Sequence, residues 1–356
     1  KYEEAARQGA RGVLIVHDTY PAAYGWNVVA STSTRNFIQT PNNGMDQTEA
    51  NGWIQKATAE AIFAAAGKDF AALSAAAAKP GFRAVPLGLK ASYSFANTVK
   101  TSISHNVVGL LPGKAAPDET VLYSGHWDHL GRCNPDKTGD DICNGAVDNA
   151  TGIAAMTAIA EANRKAGAAD RSQVFIAVTM EESGLLGSKY YAENPVYPLA
   201  QTVGGVNMDA LAPGSASRDI QITGGDKSEL TAYVKQAMKD MNLYQSPEES
   251  TEKGFYYRSD HFSFAKLGVP MFALGRGSDW IKGGKEAGHA AAERYETNDY
   301  HQPSDEYDPS WDWSGPAQDA ELFYRLGRML AMTTAWPNWH PTDEFRLIRD
   351  KSRSGK

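Results

Sequence analysis

Five side chains of the types that bind divalent metal ions occur along this chain of 356 residues. They are two histidines and three carboxylates: His126, Asp148, Glu182, Asp209 and His301. Zn²⁺ takes imidazole nitrogen and carboxylate oxygen as ligands, and two catalytic ions about 3.5–4 Å apart are often joined by a shared carboxylate. The set predicts two Zn²⁺ ions that share Asp148, and a hydrolytic reaction whose nucleophile is a metal-held water.

Each ion is expected to take one histidine and one carboxylate of its own beside the shared Asp148. We assign His126 and Asp209 to one ion, and Glu182 and His301 to the other. This pairing is an inference about space, because spacing along the sequence does not fix it. A bridging carboxylate together with a bridging hydroxide would offset the repulsion between two neighbouring cations.

Three side chains adjacent to these ligands are candidates for catalysis. Glu181 directly precedes Glu182 and is expected to be the general base, which takes a proton from the water and delivers it to the leaving amine. Asp128 follows His126 by two residues and is expected to accept a hydrogen bond from its ring. Tyr300 precedes the second histidine ligand and is expected to donate to a developing oxyanion.

The elements that position these residues are strands that alternate with helices. We predict strands at 107–111, 120–124, 173–179, 202–208 and 269–274, and helices at 151–164, 186–193, 228–241 and 317–335. This alternation is typical of an α/β fold with a mixed, mostly parallel sheet sandwiched between helices. The candidate residues follow the carboxyl ends of predicted strands, where sites form in such sheets.

The chain outside this region has a less regular pattern. Residues 1–30 predict a short α/β piece, residues 31–52 a loop, and residues 53–78 an alanine-rich helix that ends at Lys79-Pro80-Gly81. His129, three residues after the first candidate ligand, is expected to be a structural hydrogen-bond donor. The charged tail from residue 346 to residue 356 is expected to fray.

Composition limits the class of protein. A hydrophobic content of 42% and a charged content of 22% are typical of a globular domain. The net charge of -7 argues against nucleic acid as a partner. The longest apolar runs fall short of the roughly 18–20 residues that a membrane span needs. The chain starts at Lys1 without a signal-peptide pattern, so we expect a processed or truncated product.

The chain contains two cysteines, Cys133 and Cys143, which are too few for a cysteine-based zinc site. A local disulfide bond is the preferred interpretation, and closing so short a loop would stabilise the fold by about 3 kcal/mol. It would also imply an oxidising compartment, either the periplasm or the cell exterior. The alternative is a pair of buried thiols in a cytosolic protein.

The motifs around these residues resemble those of the di-zinc aminopeptidase family of clan MH, which includes bacterial leucyl aminopeptidases, glutamate carboxypeptidase and the transferrin receptor. The resemblance covers residues 95–335. It rests on the segments 124–129, 145–152, 181–188, 207–209, 259–261 and 301–305. It implies the zinc exopeptidase fold, the same five metal ligands, Glu181 as general base and supporting roles for Asp128 and Tyr300. It also implies a cis peptide bond after Asp148.

The resemblance implies a division of the chain into four parts. Residues 1–50 resemble the C-terminal part of a protease-associated domain, and residues 51–95 would be a helical connection. Residues 96–340 would be the zinc peptidase catalytic domain, and residues 341–356 a charged tail. In this family the protease-associated domain is inserted within the catalytic domain, so we expect a fragment of a longer secreted or periplasmic peptidase.

The activity implied by the resemblance is that of a metallo-aminopeptidase, whose substrate is a peptide with a free N-terminus. The substrate pocket is expected near residues 254–280, with contributions from Arg258, Phe262 and Arg276. The sequence leaves the physiological peptide and the oligomeric state open.

Three alternatives remain at this point. A carboxypeptidase or dipeptidase on the same scaffold would use Arg258 and Arg276 for a substrate carboxylate. A glutaminyl cyclase-like acyl transferase would hold one zinc. A receptor-like binding module would be a non-enzyme relative, although the retention of all five ligand positions argues against it.

Overall fold

The computed structural model describes residues 1–30, 36–39 and 47–354 of the chain. The chain divides into two compact units: Lys1–Ser31 with Gln39–Ile103, and Thr32–Ile38 with Ser104–Lys356. The assignment of residues 1–50 to a protease-associated domain stays a prediction. Among the described helices, none has the length and apolar character needed to cross a membrane.

The first unit contains a pair of parallel strands. Its elements are α1 (Tyr2–Arg7), β1 (Gly12–His17), α2 (Thr19–Ala22), α3 (Trp26–Val29), β2 (Ala50–Gln55), α4 (Lys56–Ala65) and α5 (Phe70–Ala77). The predictions of a loop up to residue 52 and a helix from residue 53 are wrong at β2. Pairing with β1, from Gly12 opposite Ala50 to His17 opposite Gln55, decides the conformation there. Such distant pairing leaves little mark in the local pattern.

The single helix expected over residues 53–78 is divided into α4 and α5. Between them Gly67 adopts a φ of 66°, a backbone conformation that favours glycine. Asp69 then accepts a hydrogen bond from the N–H of Ala72 at 3.1 Å and begins α5. The parts of the predicted loop at 31–35 and 40–46 lie outside the described residues.

The second unit alternates strands and helices, as predicted. Its elements are β3 (Val107–Leu111), β4 (Ala116–His126), β5 (Gly131–Arg132), β6 (Ile142–Cys143), α6 (Gly152–Lys165), β7 (Arg171–Val178), α7 (Leu186–Glu193), β8 (Thr202–Asn207), β9 (Asp219–Ile222), α8 (Leu230–Met241), β10 (Tyr244–Ser246), α9 (His261–Ala265), β11 (Met271–Phe272), β12 (Leu274–Arg276), α10 (Gly284–Arg294), α11 (Ser314–Met332) and α12 (Arg346–Arg353).

The main sheet of this unit has the strand order β11-β8-β4-β7-β3. Strands β11, β8, β4 and β7 run parallel to one another, and β3 runs antiparallel to β7 at the edge. The predicted mixed, mostly parallel sheet is therefore confirmed. The segment expected as one strand at 269–274 instead forms β11 in this sheet and β12 in a second sheet, whose order is β10-β9-β12.

Side chains of β4 alternate between two hydrophobic cores, one on each face of the main sheet. Val121 and Tyr123 belong to the larger core, which includes residues of α6, α8 and α11. Leu122 belongs to the other core, with Tyr191 from α7 and Phe264 from α9. Because both faces of the sheet are covered by helices, the ends of the strands are where a polar site can form.

The cysteine pair forms a disulfide bond, which confirms the prediction. The bond joins Cys133 to Cys143 across the hairpin of β5 and β6, with the Cα atoms 6.0 Å apart. Cys143 Sγ also lies 3.7 Å from the backbone oxygen of His301. The hairpin thus contacts the segment that carries one of the candidate ligands.

The expectation that the C-terminal tail frays is wrong for α12. Arg349 in this helix is 1% exposed and donates hydrogen bonds to the carbonyl oxygens of Thr202 at 2.6 Å and Leu199 at 3.3 Å. The ring of Trp336 lies 3.7 Å from the guanidinium carbon of Arg353. The charged side chains of the tail are thus partly buried, and their contacts fix α12 against the amino end of β8.

A buried ion pair joins β12 to α11. Arg276 Nε donates to Asp319 Oδ2 at 2.7 Å, and Arg276 Nη1 donates to the carbonyl oxygen of Ser215 at 2.8 Å. The two charged side chains are only 8% and 3% exposed. Arg276, expected to contribute to the substrate pocket, is therefore engaged in holding two elements together.

Removing one partner of this pair should be costly, because the other charge would stay buried without compensation. We expect Asp319→Ala to lower the free energy of unfolding by about 3–5 kcal/mol. Glu321→Ala on the same helix removes an exposed pair with Arg325 and is the matched control, with an expected cost below about 0.5 kcal/mol. Chemical denaturation measures both changes. Equal costs for the two variants would contradict the role given to Asp319.

Candidate metal site

The five predicted ligands lie together at the carboxyl edge of the main sheet. His126 is the last residue of β4, Glu182 lies in the loop after β7, and Asp209 lies two residues beyond the end of β8. Asp148 precedes α6, and His301 lies between α10 and α11. Parallel strands deliver their carboxyl ends to one edge, which is why residues far apart in sequence meet here. These five residues are called the candidate metal site below.

Around His126 the geometry is that of a metal ligand held by its other nitrogen. The buried His126 Nδ1 lies 3.0 Å from the backbone oxygen of Asp128, which only accepts, so Nδ1 is the donor. His126 Nε2 then faces two carboxylates, 3.1 Å from Asp148 Oδ1 and 3.2 Å from Asp209 Oδ1.

The other half of the site is formed by His301 and Glu182. His301 Nε2 lies 3.0 Å from Glu182 Oε2 and 3.4 Å from Asp148 Oδ2. The two oxygens of Asp148 therefore face different histidines, Oδ1 toward His126 and Oδ2 toward His301. This is the arrangement expected of a shared ligand.

The donor set and its distances fit zinc. Two ligand atoms at about 2.0–2.2 Å from one tetrahedral ion would lie about 3.3 Å apart, and the four N···O distances above range from 3.0 to 3.4 Å. His301 Nε2 is buried and makes no hydrogen bond within the described part of the chain. The ligand atoms of His126, Asp148 and Asp209 all lie within 4.8 Å of one another.

His129, expected to be a structural hydrogen-bond donor, lies in this cluster, which its sequence context did not predict. Its Nδ1 lies 2.6 Å from Glu182 Oε1, and its side chain is only 6% exposed. It also forms a group with Asp148 and Glu182 whose ligand atoms lie within 4.8 Å of one another. The signal available in the sequence was a second histidine three residues after His126, in the same loop.

Asp128 and Glu181 are connected in a way that differs from the prediction. The Asp128 carboxylate is 3.7 Å from His126 Nδ1, whereas its Oδ1 accepts a hydrogen bond from the backbone N–H of Glu181 at 3.0 Å. The main chain of Asp128 thus orients the His126 ring, and its side chain holds the segment that presents Glu181.

Asp305 holds the segment that carries Asp148. Its Oδ1 accepts from the N–H of Val147 at 2.8 Å, its Oδ2 accepts from the N–H of Asp148 at 3.1 Å, and the Tyr295 hydroxyl donates to Oδ2 at 3.2 Å. The peptide bond between Asp148 and Asn149 is cis, as the resemblance implied. Asp305 was part of a recognised motif, but its role appears only in the fold.

Asn149 ties the same segment to the end of β8. Its Nδ2 donates to the backbone oxygen of Met208 at 2.9 Å, and its Oδ1 accepts from the N–H of Ala210 at 3.1 Å. Both partners flank Asp209, so the positions of two ligands are coupled through one amide side chain. On its other side, Asp209 Oδ2 accepts a short hydrogen bond from the hydroxyl of Ser259.

The carboxylates dominate the electrostatics of the site. Burial alone would lower the pKa of His301, but contacts with Asp148 and Glu182 raise it to about 9. Burial opposes protonation of His126 too, yet Asp209 and Asp148 hold its pKa far above the usual range. Burial and the nearby Asp209 raise the pKa of Glu181 well above its ordinary value. The site therefore attracts positive charge strongly.

Tyr300 and the expected pocket residues occupy different places. The Tyr300 ring stacks on His301 with the centroids 3.9 Å apart, and burial raises the pKa of its hydroxyl, which stays protonated. The charge of Arg258 acts on Tyr300, and the Arg258 guanidinium lies 5.1 Å from the Phe255 ring. Phe262 packs against Tyr257, with the ring centroids 5.2 Å apart. Of the two expected arginines, Arg258 is the one beside the site.

Comparison with known proteins gives a family for this region. The sequence model of the family described as Peptidase family M28 matches residues 106–325. Leupeptin-inactivating enzyme 1 from Streptomyces exfoliatus is 30% identical over 205 residues, which are 54% of this chain and 42% of that protein. Aminopeptidase NAALADL1 from Rattus norvegicus is 27% identical over 211 residues, which are 56% of this chain and 26% of that protein.

A solved structure shows the same fold. The aminopeptidase from Aneurinibacillus sp. strain AM-1 superposes with a TM-score of 0.53 and 21% identity, over 96% of this chain and 68% of that one. The curated relatives are much longer than the part of them that matches, since this chain spans between 21% and 42% of their lengths.

Replacing Asp305 should loosen the Asp148 segment. Asp305→Ala leaves two buried N–H groups without an acceptor, so we expect the free energy of unfolding to fall by about 2–4 kcal/mol and zinc affinity to fall with it. Chemical denaturation and zinc titration measure these effects. The control is Asp308→Ala, which removes an exposed carboxylate that accepts hydrogen bonds from the nearby Ser310. Unchanged zinc affinity in Asp305→Ala would contradict the prediction.

Zinc binding should be linked to proton release below about pH 9. The pKa of His301 lies at about 9, so its ring carries a proton at neutral pH that a metal ion must displace. Apparent zinc affinity should therefore rise as the pH rises through about 9. Calorimetric titrations in two buffers of different ionisation enthalpy count the released protons. Affinity that is independent of pH between 6 and 9 would contradict this assignment.

Proposed function

Because the chain belongs to peptidase family M28, we propose that it is an aminopeptidase that uses two Zn²⁺ ions held by the candidate metal site. The family makes it a metallopeptidase; the ion count, the general base and the exopeptidase direction are our proposals. The observation that carries the ion count is the division of the Asp148 carboxylate, with one oxygen toward His126 and the other toward His301. A single-metal site would leave one of these contacts without a purpose.

The bound zinc ions would supply Lewis acidity and a low pKa for coordinated water. His126 and Asp209 would hold one ion and Glu182 and His301 the other, with Asp148 common to both. The Asp128 carboxylate accepts a hydrogen bond from the backbone N–H of Glu181, and this bond fixes the segment that carries Glu181 beside these ligands.

The raised pKa of Glu181 suits a group that must first take a proton and then give it away. Its carboxylate would accept the proton of the attacking water and deliver it to the nitrogen of the leaving amine. The Tyr300 hydroxyl keeps its own proton, because burial raises its pKa, and would donate a hydrogen bond to the carbonyl oxygen of the scissile bond.

A substrate with a free N-terminus suits the charge of the site. The buried carboxylates of the candidate metal site would attract an α-amino group for the same reason that they raise the pKa values of the histidines. A carboxypeptidase would need cationic groups for the substrate carboxylate. Arg276 is already paired with Asp319, so the carboxypeptidase alternative would depend on Arg258.

The disulfide bond between Cys133 and Cys143 supports a secreted or periplasmic location, since such bonds persist in oxidising compartments. We also keep the assignment of residues 1–50 to a protease-associated domain as part of the proposal. The strand β1 and the short helices α1, α2 and α3 lie within this range.

The proposal is tested by substrate preference and metal content together. We expect about two zinc ions per chain and hydrolysis of aminoacyl-nitroanilides that stops when the N-terminus is acetylated. Cleavage of N-acetylated peptides at the carboxyl end would favour a carboxypeptidase instead. One zinc with cyclisation of N-terminal glutamine would favour the acyl transferase, and no turnover with any of these substrates would favour a binding module.

Removing the proposed base should slow the chemical step. We expect Glu181→Gln to lower kcat on an aminoacyl-nitroanilide by about 10²–10⁴-fold, because proton transfer by a positioned group contributes that much, while zinc content stays unchanged. Glu161→Gln is the control, since this exposed residue of α6 pairs only with Lys165 at 2.7 Å. A Glu181→Gln variant with undiminished kcat would sink the proposed mechanism.

A further inference from the structure

His129 is seated beside the candidate metal site by close packing. Its ring lies edge-on to the ring of His301, with the centroids 5.6 Å apart. On another side lies Gly145, where a Cβ atom would come within 2.5 Å of a ring carbon of His129. Gly145 also has a φ of 66°. Only glycine both adopts this backbone and leaves room for the imidazole, so the ring is closely confined.

The shortest polar contact of the confined ring is with the Glu182 carboxylate. His129 Nδ1 lies 2.6 Å from Glu182 Oε1. Both atoms are buried, and neither makes a hydrogen bond to another group in the described part of the chain. The contact has the length of a hydrogen bond without its alignment, and a rotation of the ring or of the carboxyl would complete it.

Glu182 therefore divides its oxygens as Asp148 does, but between two different kinds of contact. Its Oε2 lies 3.0 Å from His301 Nε2, close to the roughly 3.3 Å expected of two ligands on one zinc ion. Its Oε1 lies 2.6 Å from His129, which is too short for two ligands of one ion and matches a hydrogen bond to a charged acceptor. The distances thus separate a metal-facing oxygen from a protein-facing one.

We propose that His129 is a positioning residue that holds Glu182 by Oε1 and so turns Oε2 toward the metal ion shared with His301. A carboxylate held at one oxygen loses the freedom to rotate away from the ion, and such supporting contacts typically change metal affinity by about 10–100-fold. The inference rests on the proposed metal-dependent function, but it concerns the affinity of one ion and not the reaction.

The test compares zinc affinities of the full chain with those of two His129 variants. His129→Leu fills the space without a donor, whereas His129→Asn places an amide N–H near the position of Nδ1. We expect His129→Leu to weaken one zinc equivalent about 10–100-fold in competition with a chelator and to leave the other equivalent unchanged. His129→Asn should recover most of the lost affinity.

The control is His289→Leu, because His289 forms the same kind of pair with Glu249 at 3.1 Å on the exposed surface of α10. This variant should bind zinc as the unchanged chain does. Thermal unfolding of all metal-free variants shows whether each is folded, and His129→Asn keeps the test open if His129→Leu is not.

Two results overturn the proposal. Equal zinc affinities of His129→Leu and the unchanged chain would show that Glu182 needs no support. Loss of affinity in His129→Asn as complete as in His129→Leu would show that the ring is itself a ligand.

Failure of the proposed function looks different. Two tightly bound zinc ions without peptide hydrolysis would contradict the aminopeptidase and leave the affinity comparison intact. A single zinc in the unchanged chain would contradict the two-metal site. In that case a loss of zinc affinity in His129→Leu would still support the proposal that His129 holds Glu182. Unchanged zinc affinity would overturn that proposal.

Discussion

The Asp148 carboxylate has to face His126 with one oxygen and His301 with the other, and this requirement governs the segment around it. Asp305 holds the segment through two backbone N–H groups on one side. Asn149 ties it to the residues that flank Asp209 on the other. The loop after β8, the segment before α6 and the loop before α11 therefore meet around one side chain, although they are far apart in sequence.

The same convergence concentrates negative charge in a place with little solvent. Burial opposes ionisation of the carboxylates, and the pKa of Glu181 rises accordingly, whereas the two histidines beside Asp148 lower its pKa. The histidines in turn have raised pKa values. Protons and metal ions thus compete to neutralise the same buried negative charge, so metal binding, folding and pH are linked in this site.

The sequence was sufficient for the parts of the fold that depend on local pattern and strand order. Parallel strands β4, β7 and β8 bring His126, Glu182 and Asp209 to one edge, and that follows from alternation of strands and helices alone. Pairing of β2 with β1 was not predictable, because it depends on a distant partner and not on the residues of β2. The burial of Arg349 was missed for a similar reason, since a charged tail looks solvated until carbonyl groups at the amino end of β8 are placed beside it.

Residue type pointed to the five candidate ligands, but not to the groups that hold them. Asp128 was expected to orient an imidazole, yet its main chain does so while its carboxylate holds the N–H of Glu181. Asp305 likewise holds the backbone N–H of Asp148. The geometry points to a third supporting contact, that of His129 with Glu182. Each supporting residue lies in the same motif as one functional residue and acts on a residue of another motif. Each such motif is therefore one loop at the end of a strand, joined to the other loops by supporting contacts. These contacts explain why a motif contains more polar residues than metal binding itself requires.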